Sequence, residues 1–189
     1  MTAFLSGLVL FLGSHSVSIV APGWRDRAVE RIGLRAWQAL YALVAIAGLV
    51  LLVRGYADLR GQTPILYVLP RWVHGVSTII MIPVFPLLLA AYLPGAIKAA
   101  TKHPMLIAVK LWALAHLLAN GSLADLILFG SMLVWAGADR ASFKYRAQRA
   151  KPTAPASRWN DVIVVVGGLL LYSLMLNGGH ALLIGMPLV

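Results

Sequence analysis

Cysteine is absent from this 189-residue chain, and acidic residues are scarce: six Asp and Glu stand against sixteen Lys and Arg. Without a thiol there is no disulfide, thiolate zinc site, iron–sulfur cluster or C-x-x-C-H haem attachment. Any metal must be held by His, Met, carboxylate or backbone. Charge of either sign is also sparse, at 12% of residues against roughly 25% in soluble domains. Hydrophobic residues make up 60%, and the mean hydropathy is +0.84. A soluble protein of this size has too much surface to hide so many apolar side chains. That excludes a water-soluble globule and points to a polytopic membrane protein, whose apolar surface is covered by lipid.

A helix needs about 20 mostly apolar residues to cross the hydrocarbon core, and six stretches are candidates. They cover residues 2–20, 36–53, 73–93, 104–119, 122–138 and 161–177. The expected fold is an all-α membrane helix bundle forming one transmembrane domain over residues 1–189. Pro104 suits the first position of the fourth span, where its missing N–H is harmless. Asn120-Gly121 breaks that span and Ser122 can cap the fifth, so the two form a tight hairpin. The apolar tail from His180 is too short to span. It would complete a bent sixth helix or lie at the interface.

The positive charges report orientation. Twelve Lys and Arg fall in three loops, around residues 22–35, 94–103 and 139–160, against three (Arg54, Arg60, Arg71) on the other side. Cytoplasmic loops collect such charge, so both termini are expected outside, with the basic 139–160 loop cytoplasmic. The first span lacks a basic leader and is followed by Arg25 and Arg27, which favours an uncleaved helix over a signal peptide. The +10 formal charge then marks topology, and no nucleic-acid partner is implied. The expected surroundings are a lipid bilayer.

Polar side chains at membrane depth are costly and tend to have a task. No acidic pair lies there, and neither a Ser/His/Asp set nor an H-E-x-x-H motif is present. With a rise of about 1.5 Å per residue, His15 lies roughly 9 Å and His116 roughly 18 Å from the cytoplasmic ends of their helices. Both fall towards the middle of a ~30 Å core. Two neutral imidazoles on different helices can hold b-type haem. They equally suit hydrogen bonds to a nearby Ser or backbone carbonyl. Trp112, His116 and Asn120, spaced i, i+4 and i+8, share one helix face and could wall a cofactor. Lys110 reads as a snorkelling lysine or as the partner of a haem propionate. His74 and His103 begin helices at the interface, where structural roles are expected. His180 stays open.

Several of these residues carry a resemblance. His103-Pro104 with the run Lys110-Leu111-Trp112-Ala113-Leu114-Ala115-His116-Leu117-Leu118-Ala119-Asn120-Gly121 resembles the signature of the NnrU family of bacterial inner-membrane proteins. Gly13-Ser14-His15-Ser16, Pro22-x-Trp24-Arg25 and Arg31-Ile32-Gly33 are similar to it as well. The resemblance implies a multi-pass protein of the bacterial inner membrane that serves denitrification, supporting the nitric oxide and nitrite reductase system or its maturation factors. The family is also similar to the haem-dependent 15-cis-zeta-carotene isomerases, whose proposed ligands match His15 and His116. Ala113 stands where those isomerases carry a Cys, so a thiolate exchange is absent here. Three readings follow: a haem-b protein supporting the reductases, a haem-dependent isomerase of a polyene or other lipophilic substrate, and a cofactor-free assembly scaffold or small transporter.

Overall fold

The computed structural model describes residues 1–147, 149 and 152–186. Lys151, counted above in the basic loop, and the last three residues of the apolar tail lie outside the described residues. Every element of regular structure among the described residues is helical. In chain order they are α1 (Thr2–Val20), α2 (Pro22–Ile32), α3 (Leu34–Asp58), α4 (Trp72–Met81), α5 (Val84–Ala90), α6 (Ala96–Thr101), α7 (Pro104–Ala119), α8 (Leu123–Ser142), α9 (Asn160–Leu174) and α10 (His180–Ile184), with a π turn at Met175–Gly179 between the last two.

Among the described residues, four segments are long and apolar enough to cross a membrane: Thr2–Val20, Leu34–Asp58, Trp72–Ala90 and Asn160–Ile184. α7 is apolar but has only 16 residues. α8 has the length, at 20 residues, but carries Asp125, Asp139 and Arg140 within it. α1 and α7 begin and end where the sequence predicts. α3 is longer at both ends than the expected 36–53 span, and α8 continues four residues beyond Ala138. The third expected span is interrupted. Pro83 has no N–H to offer Ile79, and the Ile82 N–H bonds instead to the Ile79 carbonyl at 3.2 Å, ending α4. The sixth continues past Asn177, bent where Gly178 takes a φ of +108°.

The chain divides into two compact units, Met1–Leu66 with Ser122–Gln148, and Tyr67–Gly121 with Arg149–Val189. In the first, α1 and α3 run antiparallel with their backbones nearly touching. Gly7 faces the backbone of Leu51 and Leu52, Gly48 that of Leu10 and Phe11, and Gly55 that of Ala3 and Phe4. A methyl group on Gly7 would lie 2.2 Å from Leu52 N, and one on Gly55 2.3 Å from Phe4 N. Where lipid removes the hydrophobic drive for helix association, such close van der Waals contact supplies it. α8 starts with a capping box: Asp125 N–H donates to Ser122 Oγ at 3.3 Å, and Ser122 N–H to Asp125 Oδ2 at 2.9 Å. The Tyr56 hydroxyl donates to the other Asp125 oxygen, which ties α3 to this cap. At the far end Asp139, expected to open the loop, is buried and paired with Arg146. Arg146 Nε also donates to Ser142 Oγ at 2.6 Å.

In the second unit, Val84, Leu87 and Ala108 centre an apolar cluster joined by Met81, Leu88, Ile107, Leu111 and Trp112. α9 crosses α5 where Gly168 lies against Pro86. Asp161, in the first turn of α9, accepts from the Ala96 and Ile97 N–H groups at 2.8 and 3.1 Å, capping α6 from a distant part of the chain. Tyr67 OH donates to the Leu117 and Asn120 carbonyls at 2.6 and 2.8 Å, occupying acceptors that the end of α7 leaves without intrahelical donors.

Candidate functional site

His15 occupies the last third of α1. Its Nδ1 lies 2.7 Å from the Phe11 carbonyl oxygen, one helical turn back. A carbonyl can only accept, so Nδ1 is the donor in this contact, and in the neutral tautomer that allows this the lone pair lies on Nε2. Three rings from three helices of the first unit surround the imidazole. Phe11 of α1, Tyr41 of α3 and Trp135 of α8 have centroids 4.3, 5.3 and 5.8 Å away. Trp135 meets it edge-on at 89°, and its buried indole N–H has no partner among the described residues. An indole N–H is a donor only, and a buried donor left unmatched is costly.

A cavity of about 230 Å³ in the same unit reaches from His15 towards α2. Ser14, Ser18, Arg25, Trp37, Gln38 and Tyr41 also line it. It is therefore walled by the end of α1, the beginning of α2 and the first two turns of α3.

His116 sits near the end of α7, in the second unit. Its Nδ1 lies 2.8 Å from the Trp112 carbonyl oxygen, the same turn-back arrangement as at His15, so its lone pair is likewise on Nε2. The Trp112 ring stands 5.1 Å from the imidazole, and Asn120 Nδ2 donates to the His116 carbonyl at 3.0 Å. Trp112, His116 and Asn120 thus come together as their spacing predicts. Lys110 is half-buried on α7 and, at 3.6 residues per turn, projects from roughly the opposite side of the helix to Trp112. The other histidines lie at helix ends. His74 is exposed in the first turn of α4, His103 precedes α7, and His180 opens α10 with Nδ1 2.7 Å from the Met186 carbonyl oxygen.

No group of three or more His, Asp or Glu able to hold a bare metal ion occurs among the described residues. Haem asks less of the chain, because its ring supplies four ligands and the protein one or two. The lone-pair nitrogen of His15 fits that demand, as does that of His116. Their backbone-bonded Nδ1–H groups provide the outer hydrogen bond that usually orients a ligating imidazole. Reasoning from sequence missed Tyr41, Trp135 and Arg25. Trp135 carried a signal only as an indole inside the expected 122–138 span.

Helices of this length and apolarity, whose backbone polar groups bond within them, define an integral membrane protein that is all-helical among the described residues. Residues 3–188 match the NnrU protein family, and the chain belongs to that family. Searches of curated proteins and of solved structures gave no match.

Proposed function

We propose that this NnrU protein binds b-type haem through His15 and His116 and that it supports nitric oxide and nitrite reductase function from the bacterial inner membrane. The supporting observation is the shared state of the two imidazoles. Each has its Nδ1 on the carbonyl four residues back, each holds its lone pair on Nε2, and each has a tryptophan ring against it. Haem would add an electron carrier held within the bilayer. The chain's part is to present the two nitrogens in the ligating tautomer and to surround them with apolar and aromatic groups that keep water away.

Protein purified from haem-replete cells should show a Soret band that shifts and sharpens on dithionite reduction. His15→Ala and His116→Ala should each abolish the low-spin spectrum while leaving a folded, monodisperse protein. A colourless wild-type preparation would refute the reading.

A further inference from the structure

The cavity beside His15 has a cation at its other end, and nothing in the ligation scheme uses it. The Arg25 side chain is only 16% exposed, although it stands on a short helix outside the spans. One guanidinium nitrogen, NH1, donates to Asp26 at 2.9 Å, which leaves most of its five donors for other acceptors. Its carbon lies 5.9 Å from the centre of the Trp37 ring, and Trp24 meets Trp37 edge-on at 5.7 Å. Ser18 and Gln38 add a hydroxyl and an amide to the same wall. The cavity therefore runs from the His15 imidazole and the Tyr41 ring to a held guanidinium with neutral donors. This happens where α1 ends at Val20 and α3 begins at Leu34, so that the cationic end lies where two apolar spans give out.

We infer that Arg25, with Ser18 and Gln38, forms an oxyanion seat for the acidic group of an amphiphile whose apolar body extends towards His15. The chemistry it selects is a carboxylate or phosphate joined to a large apolar body, supplied by the propionates of a tetrapyrrole or by the phosphate of a phospholipid. In the first case the inference rests on the haem reading and orients the ring, with its acidic edge towards α2. The planar fork of Arg suits either oxyanion in a way that Lys does not.

The test uses the full-length protein in detergent and metal-free protoporphyrin IX, followed by its fluorescence, so that iron ligation plays no part. Wild type should bind the free dicarboxylate at least tenfold more tightly than its dimethyl ester. Arg25→Gln should remove that preference, and Arg31→Gln, on an exposed arginine of the same helix, should keep it. In parallel, retained lipid is read by native mass spectrometry after exposure to phosphatidylglycerol or to diacylglycerol, which has the same apolar body without the phosphate. Retention of phosphatidylglycerol alone, lost in Arg25→Gln, would identify the phospholipid as the source. Should Arg25→Gln not fold, Gln38→Leu at an exposed position reports on the same wall and should weaken the preference. The seat is overturned if wild type shows neither preference, or if these variants leave both unchanged. A colourless protein that still distinguishes dicarboxylate from diester would refute haem ligation and keep the seat.

Discussion

The two units solve the same problem in opposite ways. In the first, α1 and α3 are unbroken for 19 and 25 residues and gain their hold from glycines that let the backbones meet. In the second, the spans are interrupted, by Pro83 between α4 and α5 and by the π turn after α9, and side chains repair what the breaks expose. The clearest repair is at Thr78. The Ile82 N–H that would normally bond its carbonyl is diverted to Ile79, and the Tyr172 hydroxyl from α9 donates to Thr78 O at 2.8 Å instead. A backbone acceptor without water or partner is costly in lipid. Continuous helices need only fit closely, whereas broken ones need named partners.

This contrast can be broken most severely in the first unit. Gly55→Ala would set a methyl group against the Phe4 backbone, and the α1–α3 pair must separate to admit it. Overpacking of this kind costs about 1–3 kcal/mol, so a fall of several degrees in the detergent unfolding midpoint is expected. Gly13→Ala, on α1 with open space beside it, should leave the midpoint unchanged or raise it slightly, because Ala is the better helix former. Equal changes at both positions would show that contact with α3 does not govern this unit, since Ala is the better helix former at either one.

In the second unit the expected effects are smaller and more local. Asp161→Ala removes both acceptors from the start of α6 and should cost about 1 kcal/mol, as loss of a helix cap does. Hydrogen exchange should quicken at Ala96 and Ile97 before it does so elsewhere.

The smallest effect sharpens the comparison most. Tyr172→Phe removes one hydrogen bond, worth about 1 kcal/mol. Pro83→Ala would restore an N–H for Ile79 and return the Ile82 N–H to Thr78. In that background Tyr172→Phe should cost measurably less, a coupling that a double-mutant cycle reads directly. Additive losses would mean that the tyrosine packs without repairing the break.

Much of this was legible from residue type and position. Lipid demands long apolar runs, and α1 and α7 begin and end where Pro, Asn-Gly and the apolar limits say they should. The cap at Ser122 followed from its residue type ahead of an apolar run, because a cap is a local device, and the structure adds Asp125 as its reciprocal partner. The Trp112, His116 and Asn120 face followed from helical periodicity alone. The interruption of the third span was signalled by Pro83, but apolar content outweighed it in the span reading. The extension of α8 to Ser142 had no local signal, because it depends on Arg146 folding back to pair with Asp139.

The sequence by itself determined the solvent of this protein, its helical class and the histidines worth watching, since these rest on hydropathy and on period. Only the tertiary structure decided what surrounds His15, because Tyr41 and Trp135 reach it from helices 26 and 120 residues further along the chain. It also decided that Arg25 shares a cavity with that histidine, although its sequence position reads as one more positive charge in a loop. Contacts between distant segments follow from how close two backbones can come. Here that distance was set by whether glycine or a side chain stood at the crossing.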